Sequence, residues 1–237
     1  MSSSRSYEFT GEMLRVGGAA LHRIRAVTDL PRHGVRAGDV GGWVESTDNL
    51  SGDAWVFGDA KVFGDARVSG AARVSGGARV FGAAKVFGGA WVYGGAQVSG
   101  DARVYGDARV SGDARVYGDA RVSGDARVSG YAKVFGDAEV FGDAEVFGGA
   151  WVSGAQDVLT VSPIGSESVT ATLFRTAAGH GLHVGCWDGH VDDLAAEVER
   201  RSTDWGADPA TADRWRAEYA ALELLCRVRI TGWAASQ

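Results

Sequence analysis

The sequence predicts a mainly-β chain, with a long solenoid of short strands in the middle and a cap of different composition at each end. Three observations carry this. Every sixth residue from Gly52 to Gly154 is glycine, bounding 17 complete hexads. Ala54 through Ala150 and Val56 through Val152 are unbroken series at the same period. Finally, 36 glycines against 3 prolines in 237 residues departs from ordinary globular usage in the direction of a repeat architecture.

From the N-terminus, YEFTGEMLRV, GGA and ALHRIRAV read as two strands joined by a turn at Gly17-Gly18. The stretch VRAGDVGGWVESTDNLS then leads into the repeats, which makes residues 1–43 an N-terminal hairpin cap. Within a hexad, Ala and Val stand two apart, a spacing that a helix of 3.6 residues per turn would scatter around its cylinder. In a strand the same spacing puts both on one face, so Ala and Val point inward and the residue between them, such as Arg103 or Lys133, points outward. Gly followed by Asp supplies the corner: Gly takes unusual backbone angles, and Asp bonds its own backbone in an Asx-turn.

After the repeats, VTATLFRT, AAGHG and LHVGCW read as a second hairpin, with His180 in its turn and a strand over Leu182–Trp187. Two helices follow. VDDLAAEVERR places Val191, Leu194, Ala195 and Val198 on one face, with His190 near the N-cap. Asp208-Pro209 starts the second helix, whose Ala212, Trp215, Tyr219, Leu222 and Cys226 recur at helical spacing until Gly232 ends it. Residues 165–237 thus form a C-terminal α/β cap.

An aliphatic residue with a small one two positions earlier, repeated every six, resembles the hexapeptide-repeat family of left-handed parallel β-helices. That resemblance implies three hexads per triangular coil, so that positions 18 apart stack. Val44 and Leu50 before the clean repeats, and Val158 and Ile164 after them, keep the Val register. The expected β-helix spans residues 44–164 and has about 7 coils. The entry segment LHRIRAV…VRAGDVGGWVESTDNLS and the exit SPIGSESVTATLFRT…HVGCWDG…YAALELLCRVRI look, with the repeats, like a hexapeptide protein type carried by bacteria and their phages and prophages. No established activity comes with that resemblance.

Chemistry is sparse in the repeats. Hexapeptide acyltransferases use a His in or beside the coils as general base, and the carbonic anhydrases of this architecture bind zinc through three His. Between Gly52 and Ser153 there is neither His nor Cys; the five His are His22, His33, His180, His183 and His190. In HGLHVGCWDGH, strand alternation sends His183 and Cys186 to opposite faces, so the expectation is no metal site and no cofactor, with Cys186 and Cys226 as free buried thiols. Residues 52–153 hold 12 acids and 11 bases, and the net charge of −6 resides mainly in residues 154–237, with 12 acids and 7 bases. Such a rod is neither a DNA mimic nor a basic stripe, so no nucleic-acid partner is expected, and the absence of long apolar runs argues against a membrane. With no signal-peptide pattern in MSSSRSYEF, the expected location is cytoplasmic.

The residue after Val lies at or outside a corner, and 10 of the 17 are Phe or Tyr. At 18-residue spacing Phe63 meets Phe81, Phe87 meets Tyr105, and Tyr117 meets Phe135, with Trp55, Trp91 and Trp151 at outward positions and Tyr93 beside Trp91. These ten residues are the candidate binding set. One reading is that the rings only shield strand corners and Arg and Lys stems. The other is a face for a protein partner or for self-association as a dimer or trimer. The leading expectation is therefore a non-enzymatic structural or binding protein, a rigid scaffold related to phage or prophage. The alternatives are an acyltransferase-like enzyme using His22 or His180 at an inter-subunit cleft, and a carbohydrate-binding module using Trp55, Trp91 and Tyr93.

Overall fold

The computed structural model describes the backbone of residues 5–235 and the side chains of residues 5–233. Its centre is a β-solenoid. Seventeen two-residue strands, Trp55–Val56 to Trp151–Val152, follow one another at every sixth residue. Rungs 18 residues apart pair in parallel and in register, Arg103 with Arg121 and Val104 with Val122, so three hexads make one turn. Ala108, Val110 and their counterparts in every hexad are 0–1 % exposed, whereas Arg103 is exposed. The alternation of small and branched residues alone therefore lines the core column, and each buried Val contributes about 1.5 to 2 kcal/mol.

The corners are four-residue turns, many of them closed by a backbone bond. In Ser123-Gly124-Asp125-Ala126 the Ala126 N–H donates to Ser123 O at 3.4 Å, and Gly124 takes φ +69° while Asp125 stays at negative φ. Positive φ at the first central residue alone is the type II′ pattern, which favours Gly there. The expected Asx-turn is not what closes the corner; the Asp side chain is left facing solvent.

The first face is the longest. Strands β1 (Tyr7–Val16) and β2 (Ala19–Ala26) form the expected hairpin, with Val16 opposite Ala19, and β2 pairs with β3 (Val40–Val44). From β3 onward the parallel rungs continue through Val62, Val80, Val98, Val116 and Val134 to Val152, making a sheet of nine strands. The second face has six rungs, Val56 to Val146; the third has five, Val68 to Val140, plus a bridge from Leu50 to Val68.

The rod is about six turns long, shorter than the predicted seven, because Val158 and Ile164 do not continue it. At the twentieth hexad Gln156 stands where the core accepts only Ala, and Gly154 is extended at φ −163° instead of turning the corner. The chain makes a 3-10 turn at Ala155–Asp157 and enters an antiparallel strand, Val158–Ile164. Val158 still packs against the end of the core, but Ile164 belongs to a second core in the cap.

The caps satisfy backbone groups left open at the two ends. Alternate residues of a parallel rung point their N–H and C=O to opposite sides, as when Arg103 N donates forward to Ala120 O at 2.9 Å, so each end presents both kinds of group. At the N-terminal end buried Asn49 Nδ2 donates to Gly64 O at 2.8 Å and Ala66 O at 2.9 Å, His33 Nε2 lies 2.6 Å from Asp53 O, and Glu45 Oε2 accepts from Gly64 N at 2.6 Å. At the C-terminal end acceptors meet N–H groups. Thr172 Oγ1 accepts from Glu145 N at 3.2 Å, and buried Asp157 Oδ2 accepts from Ser153 N at 2.9 Å and Ser153 Oγ at 2.6 Å. These contacts blunt strand edges that would otherwise template end-to-end association.

Burial works to raise the Asp157 pKa, but the Ser153 bonds and Arg175 Nη1 at 3.3 Å outweigh it and hold the carboxyl below its ordinary value. The sign follows from the lowered folded pKa: this contribution is complete above the unfolded value, near 3.9, and is lost as pH falls through the folded value. Asp157→Ala should lower stability by about 2 kcal/mol at neutral pH, because Ser153 N–H and Arg175 lose their acceptor. Urea melts at pH 7 and pH 3 check it, since the difference between wild type and variant should shrink at the lower pH.

In the cap, strands Val158–Ile164, Val169–Thr176, Gly179–Val184 and Trp187–Gly189 form an antiparallel sheet. The second of these works on both sides. Phe174 joins the solenoid core, while Ala171 and Leu173 join the cap core with Val191 and Leu194 of α1 (Val191–Ser202) and Tyr219, Leu222 and Cys226 of α2 (Pro209–Ala235). Three local expectations are corrected. His180 lies in a strand opposite Arg175, because the reversal is made earlier, at Ala177-Ala178. A turn at Gly185, φ +60°, splits the expected strand Leu182–Trp187. The second helix runs past Gly232 to Ala235, with Trp233 buried and donating to Gln156 O at 2.7 Å. Ala195 of α1 is exposed, and Val191 and Leu194 carry that face.

Candidate binding surface

Each hexad sends three side chains outward: the residue after Gly, the residue before Val and the residue after Val. Stacked 18 residues apart, they form columns along the rod. The predicted ring pairs are present: Phe63 over Phe81 at 5.2 Å and 4°, Phe87 over Tyr105 at 5.0 Å and 1°, Tyr117 over Phe135 at 5.1 Å and 6°. Trp91 tilts against Tyr93 at 4.4 Å and donates through Nε1 to Ser75 Oγ at 3.0 Å. Trp151 is exposed, lies across Phe135 at 5.4 Å and carries Lys133 Nζ 4.4 Å from its ring centroid.

The ten candidates do not share one patch. Phe63, Phe81, Tyr117, Phe135 and Trp151 belong to the first face, Phe87 and Tyr105 to the third, and Trp91 and Tyr93 to the second. Trp55 is the exception to the outward reading. It is 1 % exposed and belongs to the core with Ile24 and Val56, where a Cβ on Gly41 would meet its indole at 2.8 Å. The first rung of its face has no coil beneath it, and the N-terminal cap packs over the ring instead. Two residues beyond the candidate set stand out further: Tyr131 at 73 % and Phe141 at 58 % exposure, both near the C-terminal end of the rod.

Charge is sorted into columns rather than mixed. On the third face Arg67, Lys85, Arg103 and Arg121 stack in register, and only the last meets an acid, Glu139 at 2.7 Å. On the second face Arg109 stacks on Arg127, which pairs with Glu145 at 2.8 Å. The Asp residues form their own corner columns, Asp101 above Asp119 and Asp107 above Asp125, held by backbone bonds such as Asp107 N to Gly124 O at 2.8 Å. Within the hexads, the ion pairs among the described residues join Arg to Glu and leave the Asp columns out. Stacked like charges repel along each column.

The histidines are spread over both caps. His22 stacks on Phe9 at 4.7 Å. His33 accepts from Arg73 Nε through Nδ1 at 3.0 Å, and burial leads the causes that lower its pKa. His180 Nε2 accepts the Val191 N–H at 3.1 Å, so the lone pair needed by a general base caps α1 instead; burial, then His190, lowers its pKa. His183 sits 2.6 Å from Asp188 Oδ1. No grouping of three or more metal-binding side chains occurs among the described residues. Cys226 is buried, which pushes its thiol up to about 11, but Cys186 is exposed, contrary to expectation. The turn at Gly185 lifts Cys186 out of the sheet, where its Sγ accepts from Arg201 Nη1 at 3.2 Å.

A cavity of about 180 Å³ lies where α1 and α2 meet the cap sheet, lined by Val169, Trp187, Leu194, Arg201, Trp205 and Tyr219. At its rim a hydrogen bond from Arg200, joined by Arg201 and opposed by partial burial, brings the Glu197 pKa down to about 2. No periodic signal marks this site, because Trp205 stands in the loop between helices. Its volume falls below the roughly 300 Å³ at which pockets for drug-sized ligands begin.

Three stretches of the chain, residues 96–112, 108–123 and 120–136, match the family model described as YdcK Beta solenoid repeat. The match covers the repeat only, and agrees with the rungs seen there. No curated protein matches the chain. Among the described residues, no helix is long and apolar enough to cross a membrane.

Proposed function

We propose that this β-solenoid is a non-enzymatic scaffold that presents aromatic and charged rows to a macromolecular partner. The observation that carries the reading is the stacking of identical chemistry in register: ring pairs 5.0 to 5.2 Å apart with planes within 6°, beside columns of uniform charge. Such a surface offers the same contact again at each turn, which suits an extended partner and gives no one residue a distinct chemical task. The resemblance of the entry and exit segments supports a phage- or prophage-related role.

The reading is tested against its rival, an acyltransferase-like enzyme with a flank histidine. Saturating acetyl-coenzyme A should leave the melting temperature unchanged, because a ligand at a hundred times its dissociation constant would add about 2.7 kcal/mol of stability. A clear upward shift that disappears on replacing His22 or His180 overturns the scaffold reading.

A further inference from the structure

We infer that the first face is self-complementary and pairs two copies of this chain as parallel rods about a two-fold axis. On this face the corner column reads Asp59, Gly77, Gly95, Asp113, Tyr131, Gly149, and the mid-strand column beside it reads Lys61, Arg79, Gln97, Arg115, Lys133, Trp151. A two-fold axis parallel to the rod, between these columns, sets each corner residue opposite the mid-strand residue of the same rung in the other copy. An antiparallel arrangement would superpose like columns and, at full overlap, set Arg79 against Lys133 with no acid between them.

Rung by rung, the parallel pairing is complementary. Asp59 meets Lys61, Asp113 meets Arg115, and Tyr131 meets Lys133, each across the axis and each twice. Gly77, Gly95 and Gly149 lie opposite Arg79, Gln97 and Trp151; at Gly149 a Cβ would find nothing within 4 Å, so space is open there, whereas the Asp113 carboxylate fills the space beside Gly95. The same operation on the other faces produces a like-charged rung, Asp143 opposite Glu145 on the second and Asp137 opposite Glu139 on the third.

Exposed ion pairs add little by themselves, so anchors decide between the faces. Interface energy concentrates in Trp, Tyr and Arg near a packed centre. In these two columns only the first face carries exposed aromatics, Tyr131 at 73 % and Trp151 at 41 %, one rung apart. Six rungs about 4.8 Å apart and a strip five residues wide cover roughly 500 Å² per protomer. The pair then buries about 1,000 Å², at the lower bound for a specific interface, so the association is of the weak, reversible class.

Sedimentation velocity on the full chain at low salt tests this, with a dimer expected for the wild type. Asp113→Arg, which sets Arg against Arg115 of the other copy, should weaken dimerisation at least about tenfold, and adding Arg115→Asp should restore it. Tyr131→Gly, which installs the residue found at this hexad position in Gly77, Gly95 and Gly149, should weaken it by a similar factor. Asp119→Arg on the third face should leave the dimer intact. A wild type that stays monomeric, a dimer indifferent to Asp113→Arg, or a charge swap that fails to restore association overturns the proposal.

Discussion

Deleting three residues within the rod, Asp101 to Arg103, should abolish folding, whereas deleting the eighteen from Asp101 to Gly118 should leave a soluble protein one turn shorter. After the longer deletion Asp119 follows Gly100 in the original phase, and every inward column is restored with Lys85 stacked on Arg121. Deleting three residues leaves a rung of three, which reaches at most about 11 Å, where six residues are needed to cross a face. If the downstream chain shifts to compensate, an odd step turns Asp and Arg inward and Ala and Val outward. A six-residue deletion is intermediate: it preserves the columns but rotates the C-terminal cap by a third of a turn relative to the hairpin. Circular dichroism melts of the three variants check the series. Equal tolerance of the three- and eighteen-residue deletions would contradict the 18-residue stacking itself.

The second large effect is expected at the corner glycines, which stack backbone on backbone. At Gly124, φ is +69° and a Cβ would lie 2.9 Å from Gly142 N and 3.0 Å from Gly142 O, so the next coil must move away. Gly142 has nearly the same φ, +64°, but nothing lies within 4 Å of its Cβ, because the rod ends before another corner covers it. Gly142→Ala should therefore cost only the conformational term, about 1 to 2 kcal/mol. Gly124→Ala should add the clash, for a loss of about 3 kcal/mol or more. Denaturant melts of the two single variants separate the contributions, and similar midpoints would show that the corners are not close-packed.

Much of the solenoid could be read along the chain because its determinants are local. Whether a side chain points inward in a strand depends on its neighbours two positions away, and 17 hexads repeat the same answer from Ala54 to Val152. The hairpin at Gly17-Gly18 was legible for the same reason: its turn and its register lie within a few residues. The aromatic pairs needed more than the period, since a spacing of six says nothing about how many strands complete a turn. Three hexads per turn came with the family resemblance, and the pairing of Val104 with Val122 realises it.

What only the tertiary structure decided lies where the repeat meets something unlike itself. Val158 and Ile164 keep the hexad phase, yet the rod stops before them, because Gln156 cannot enter a column sized for Ala and the cap sheet takes over pairing. Trp55 holds an outward position in the pattern but is buried, since the first rung has a cap where later rungs have another coil. The cap cavity arises from three elements distant in sequence, and the exposure of Cys186 follows from the turn at Gly185 against α1. The sealing of the ends is likewise a property of the assembled rod. A sequence can say that Asn49 and Asp157 are polar; only the stack, whose end rungs have no further coil to pair with, brings the amide to the Gly64 and Ala66 carbonyls at one end and the carboxylate to the Ser153 N–H at the other.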